Sequence, residues 1–200
     1  MRSLPRLWLC ADLGLRSIDA LLAAVDAACA TDAALVWLRA PREIAGAEHL
    51  AAARALRSVT TLHGALLLVG DRLDVALAAG ADGVHLGEAS VSPSEARGML
   101  GSGAVVSRAV HDAAGIASHR DAADALVLAP FLAVPGKGPA LGARGFASLR
   151  ASAPASFVVA LGGLATPADV HAAFASGASA VALRRGLDAP ALRDAARALP

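Results

Sequence analysis

The chain has 200 residues, enough for one domain, with 56% hydrophobic residues and a formal net charge of +1. That charge gives no general attraction to nucleic acid or an anionic membrane, and no apolar stretch approaches the ~20 residues that span a bilayer. The apolar run 7–11 ends at Asp12, well short of a signal-peptide core, and Leu9 before Cys10 lacks the small side chain of a lipoprotein cleavage site.

In chain order the pattern predicts strand 6–12 and helix 17–30, strand 33–38 and helix 47–59, then strand 65–69 and helix 72–79. Strand 83–86 and helix 93–100 follow, then strand 104–107 and helix 113–120. Strand 125–129 leads through a Gly/Pro-rich loop, 130–144, to helix 145–151. Strand 156–161 precedes helix 167–176, and strand 179–183 precedes helix 189–198. Most of these strands are continuously apolar, as in a parallel sheet covered on both faces. Ser92-Pro93 and Thr166-Pro167 place a capping side chain before a proline at the first helical position, and Ser17 and Asp188 are similar candidates. Cys10, on a strand, and Cys29, on a helix, read as buried thiols in a reducing compartment, so the protein is expected to be cytoplasmic.

The octapeptide AGADGVHL at 79–86 returns loosely as SGASAVAL at 176–183. Each copy ends a helix with a glycine that tolerates positive φ and opens a buried strand. Their spacing is about four βα units of roughly 25 residues. Eight units, the half-chain echo and the lack of a Gly-x-Gly-x-x-Gly after the first strand favour a single-domain (βα)8 TIM barrel over 1–200 rather than an open doubly wound sheet.

In such a barrel the chemistry lies in the loops that follow the strands. Gly162-Gly163 after strand seven suits close approach of a phosphate to backbone N–H groups, or simply a tight turn. Arg184-Arg185 after strand eight offers a bidentate phosphate clamp. His111, just after strand five, is the candidate acid/base, with Ser107 on that strand among the candidate binding residues; His85, inside strand four, reads as a core histidine. Lys137, the only lysine in the chain, lies in the long loop, where closure over substrate would bring it to an anion. Arg39, Asp71 and Glu88 are polar residues following strands two, three and four.

The block 68–87, LVGDRLDVALAAGADGVHLG, resembles the Asn-Asp-Arg…Gly-Ala-Asp-Gly-Val-His-Leu-Gly stretch of the thiamine-phosphate synthase/TenI family. Leu38-Arg39, Pro130 to Lys137, ALGG at 160–163 and GASAVA at 177–182 match in order. The resemblance implies a (βα)8 barrel. In the synthase it implies condensation of a hydroxymethylpyrimidine diphosphate with a thiazole phosphate, releasing pyrophosphate with Mg²⁺. Several positions depart from that pattern. Gly70 replaces an Asn, Ser90 a metal-ligand Asp, Pro41 a Lys, and Val134 and Gly136 two threonines. Arg184 and Arg185 stand where small residues are usual. Asp71 remains, and one carboxylate alone is a poor Mg²⁺ site.

The stretch Arg108-Ala-Val-His111 is similar to the TenI branch, as is Ser90-Val-Ser-Pro93. That branch aromatises a carboxythiazole phosphate by tautomerisation. The similarity implies His111 as catalytic base, no cofactor, and a small-molecule thiazole phosphate held by Gly162, Gly163 and the strand-eight loop, with Lys137 or Arg39 on the carboxylate. The sequence reading therefore prefers a metal-independent tautomerase. The Mg²⁺-dependent synthase and a non-catalytic phosphate-binding barrel stand as alternatives. No nucleic-acid or membrane partner is expected, and assembly into a homo-oligomer stays open.

Overall fold

Eight strands pair side by side in chain order, all parallel, and the first closes onto the last. The computed structural model describes residues 3–32 and 34–198. The elements run β1 (Leu7–Asp12), α1 (Ile18–Cys29), β2 (Ala34–Arg39), α2 (Gly46–Leu62), β3 (Leu66–Gly70), α3 (Leu73–Ala79), β4 (Gly83–Leu86) and α4 (Pro93–Leu100). They continue with β5 (Val105–Val110), α5 (Ala113–His119), β6 (Ala125–Leu128), α6 (Gly142–Ala151), β7 (Phe157–Leu161), α7 (Pro167–Ala175), β8 (Ala180–Leu183) and α8 (Pro190–Arg197). This is the single-domain TIM barrel expected. Ala33, the first residue of the predicted second strand, lies outside the described residues.

Alternation along each strand separates two cores. Leu9, Val36, Leu67, Val84, Val106 and Val158 face the helices, while Trp8, Cys10, Trp37, Leu68, Val105 and Val159 face the lumen. Both tryptophans of the chain therefore fill the barrel, opposite the small Ala125, Ala180 and Ala182. Large against small is how a closed lumen reaches native packing density.

The repeated octapeptide has a structural job at the N-terminal end of the barrel. The Asp82 N–H donates to the Leu67 carbonyl (2.9 Å), and the Leu67 N–H donates back to the Asp82 carboxylate (2.9 Å). Asp124 forms the same reciprocal pair with Val106, both bonds 2.8 Å. Ser179 does so with Val158, at 2.7 Å and 3.1 Å. The residue before each of β4, β6 and β8 thus satisfies backbone groups of an earlier strand that would otherwise be orphaned.

Four expectations need correction. Strand five runs three residues further than its apolar run, because Arg108 is buried on the helix side with its guanidinium donating to the carbonyls of Glu88, Ser90 and Val91. α2 extends through Leu62 despite two threonines, each of which bonds its hydroxyl to the Arg57 carbonyl. α6 starts at Gly142, inside the expected loop. The cap of α8 is Ala189, not Asp188; Asp188 ends a short 3-10 turn and pairs with Arg16. Ser17, Ser92 and Thr166 cap as expected, the last two in full capping boxes, and Gly80 and Gly177 adopt φ of 64° and 92°.

Gly83 is required by strand packing, since a Cβ there would lie 1.8 Å from the Val105 carbonyl oxygen. Gly83→Ala is expected to destabilise the fold by about 3 kcal/mol or more in urea denaturation, because backbone must yield. A loss under about 1 kcal/mol would contradict this packing.

Candidate active site at the barrel mouth

The C-terminal strand ends converge on one mouth. Its floor is apolar and aromatic. Trp37 and His85 lie in contact with ring centroids 4.0 Å apart and planes tilted by 49°, and His85 Nδ1 lies 3.0 Å from Ser107 Oγ. His85 is the core histidine expected, and burial is the main force that pushes its pKa down to about 4; the Arg108 charge pushes the same way and the Asp71 charge opposes. Ser107, placed among the candidate binding residues, is fully buried beneath the mouth as the partner of His85. Gly70 leaves room for the indole: a Cβ there would come within 3.1 Å of Trp37 Nε1. A side chain at 70, such as the Asn of the family pattern, would require the indole to yield by a few tenths of an ångström.

Above the floor lies a charged cluster. Asp12, the last residue of β1, is 2% exposed. Its Oδ2 accepts from Arg39 Nη1 and from Arg184 Nε, both at 2.7 Å, and its Oδ1 accepts from the Gly14 N–H at 2.9 Å. Burial alone would raise the Asp12 pKa. The hydrogen bonds from Arg184, Gly14 and Arg39, with the Arg39 charge, outweigh burial and hold it below the usual carboxylate value. Sequence reading found both arginines and missed Asp12; its one signal was a carboxylate ending an apolar strand just before a glycine.

Asp71 is the only described non-glycine residue with positive φ, 56°. Asp tolerates that conformation. Its Oδ1 accepts from the Gly87 N–H (2.7 Å) and from the Ser90 hydroxyl, which ties the loop after β3 to the loop after β4. Its Oδ2 accepts no hydrogen bond among the described residues. Glu88, on the same β4 loop, is exposed and faces His111, with Oε2 3.9 Å from Nε2.

His111 follows β5 directly, and its Nδ1 is 2.7 Å from the Ala129 carbonyl oxygen. A carbonyl only accepts, so Nδ1 carries the proton, and Nε2, on the Glu88 side, holds a lone pair whenever the ring is neutral. Gly162 and Gly163 both have positive φ, 103° and 73°, and a Cβ at Gly163 would meet Leu132 at 2.5 Å. The Gly-Gly pair therefore first serves close packing of the β6–α6 loop, whose Phe131 and Leu132 N–H groups donate to the Leu161 and Gly162 carbonyls. Lys137 is exposed at the tip of that loop, in a turn closed by its N–H on the Val134 carbonyl, and makes no ion pair among the described residues. Clefts at the opposite end of the barrel are lined by Arg57 and Asp82 and by Arg97 and Asp124, pairs already committed to the strand caps.

Cys10 and Cys29 are free and buried, and burial raises their pKa values to about 12 and about 11. They are inert thiols. No group of three or more His, Cys, Asp or Glu among the described residues is arranged to hold a metal ion, and no described helix is long and apolar enough to cross a membrane.

A parallel barrel with arginines, carboxylates and a histidine around its C-terminal mouth has the layout of a TIM-barrel enzyme, with its candidate active site at that end. The family model described as "Thiamine monophosphate synthase" matches residues 8–187, and the chain belongs to this thiamine-phosphate synthase/TenI family of thiamine biosynthesis. A thiamine-phosphate synthase of Laribacter hongkongensis is 38% identical over 83% of this chain and 79% of its own. A putative thiamine-phosphate synthase of Geobacter sulfurreducens is 39% identical over 90% and 85%. A thiamine phosphate pyrophosphorylase from Pyrococcus furiosus shares the fold, with TM-score 0.80 and 24% identity across 96% of this chain and 91% of that one.

Burial of neutral His85 makes stability pH-dependent. An unfolded histidine takes its proton near 6.5, whereas His85 in the native barrel waits until about 4. Between those values the unfolded state binds more protons, so stability is lost as the pH drops, in total by about 3 kcal/mol at ~1.4 kcal/mol per unit. His49 and His119 are also shifted down and act in the same direction. The test is therefore the difference between wild type and His85→Gln in denaturation series from pH 7 to 4. The variant should show a shallower acid limb; equal slopes would refute a neutral buried His85.

Proposed function

We propose that this chain is a thiamine-phosphate synthase, which joins a pyrimidine carried on a diphosphate to a thiazole phosphate with release of pyrophosphate. One observation carries the reading: relatives bearing that name are 38–39% identical over 83–90% of the chain. This revises the preference for a tautomerase drawn from the Arg108–His111 and Ser90–Pro93 stretches. The mouth supports the revision electrostatically. Arg39, Arg184 and Lys137 supply cations for phosphate oxygens, and Gly162 and Gly163 supply backbone N–H groups close to the seventh strand end.

The residues fit Mg²⁺ that arrives with the diphosphate, because such an ion keeps phosphate and water ligands and takes only one or two protein carboxylates. Asp71 would hold it through the open Oδ2, with Glu88 on the neighbouring loop. When bound, the ion neutralises charge on the leaving pyrophosphate. The chain's own residues do the rest. Ser90 and Gly87 fix the Asp71 carboxylate, Arg39 and Arg184 orient a phosphate, and the Trp37–His85 floor excludes water beneath the reacting groups.

The lone pair of His111 Nε2 favours a second reading, metal-free tautomerisation of a carboxythiazole phosphate. One experiment separates the two. Given both synthase substrates, the protein should release pyrophosphate in a reaction that EDTA stops and Asp71→Asn slows by roughly a hundredfold. If no pyrophosphate appears and the carboxythiazole phosphate is instead aromatised in EDTA, with a loss of about 10²-fold or more in His111→Ala, the synthase reading is wrong and the tautomerase stands. Turnover of neither substrate would leave a barrel that only binds.

A further inference from the structure

We propose that Asp12 is a positioning residue that makes Arg39 and Arg184 one bidentate clamp for a single phosphoryl group. The inference rests on the reading that the mouth takes a phosphate ester, and not on which reaction follows.

Two guanidiniums share one carboxylate oxygen, so their donor nitrogens lie no more than twice 2.7 Å apart. Two like charges so close would separate without the anion between them. The cluster holds two positive charges against one negative and carries a net positive charge at the barrel mouth. Exposure is divided to match: the Asp12 side chain is 1% exposed, whereas those of Arg39 and Arg184 are 44% and 48% exposed. The carboxylate is the buried anchor and the guanidiniums are the surface offered to a ligand.

The atoms used for anchoring leave a recognition edge free. Arg184 spends Nε on Asp12, and its Nη1 and Nη2 meet no acceptor among the described residues. Arg39 spends Nη1 and retains Nε and Nη2. Planar N–H pairs of this kind match two oxygens of a phosphate.

The neighbouring substitution agrees. Pro41 stands where the family pattern has a lysine, and its ring packs against the β1–α1 loop: a Cβ on Gly14 would come within 3.4 Å of it. Gly14 is the residue whose N–H holds the other Asp12 oxygen. The loop after β2 has lost a cation beside Asp12, and Arg184, 172 residues away from Asp12 in sequence, brings one to the same carboxylate. A second positive charge beside Asp12 is thus supplied from the strand-eight side.

Positioning and simple charge balance predict opposite signs. Removing the Asp12 charge raises the local positive charge, so a purely electrostatic role would make phosphate bind more tightly in Asp12→Asn. A positioning role makes it bind more weakly, because the two forks no longer converge. Titration of the full-length protein with inorganic phosphate, at fixed ionic strength and followed by calorimetry, reads the difference. Asp12→Asn, Arg184→Gln and Arg184→Lys should each weaken phosphate by about tenfold or more, with circular dichroism confirming the fold. Tighter binding in Asp12→Asn, unchanged binding in Arg184→Gln, or no phosphate binding by the wild type would overturn the inference. If Asp12→Asn does not fold, Arg184→Lys decides, since it keeps the charge and loses the fork; wild-type affinity there also overturns it. Phosphate binding lost in these variants, in a protein that releases no pyrophosphate, leaves the clamp standing and removes only the synthase reading.

Discussion

A closed ring of eight parallel strands has a lumen that must be filled, and the way it is filled decides where chemistry can occur. Here Trp8 and Trp37 do most of the filling, against alanines on β6 and β8, with His85 tilted against the upper indole. The plug ends one inward residue below Asp12 and Arg39, which are paired in the β1–β2 register. Everything polar at this end therefore stands on an apolar floor. Charges there are only partly hydrated, and their interactions are stronger than on an open surface. A buried carboxylate such as Asp12 is tolerable only because three donors meet it.

Departures from the family pattern form physically connected sets. Gly70 goes with Trp37, whose indole would have to give way slightly to a side chain at 70. Pro41 goes with Arg184 through Gly14 and Asp12. Ser90 goes with Asp71, because its hydroxyl donates to the carboxylate oxygen and orders the β3 and β4 loops together. Each set keeps the mouth polar while rearranging which strand supplies the contact. Isolated loss of a cation or carboxylate would have left a neighbour unpaired, and among these residues no such orphaned charge results.

Local signals made the fold legible. Strand positions came from apolar runs and helix starts from Ser17, Ser92 and Thr166, all of which act over a few residues. The errors fall where a distant partner decides. Arg108 belongs in a strand only because carbonyls 17 to 20 residues earlier accept its guanidinium. The echo between 79–86 and 176–183 was visible as a repeat, but its purpose was not: Asp82 and Ser179 close the barrel floor on strands that precede them. Asp124 does the same without the glycine that flagged the other two, since the C-cap of α5 is Arg120. In the site, residue types at strand ends identified Arg39, Asp71, His111 and Arg184. Asp12 stayed hidden because its partners lie 27 and 172 residues away.

The most direct measurement is a ¹H–¹⁵N NMR titration of the protein with a thiazole phosphate, following backbone amides and arginine Nε–H resonances together. Binding at the mouth should shift Arg39 and Arg184 Nε–H, the Gly87, Gly162 and Gly163 amides, and little at Asp82, Asp124 or Ser179 on the opposite face. Shifts confined to that opposite face, or none at all at millimolar ligand, would contradict a substrate site built on the Trp37–His85 floor.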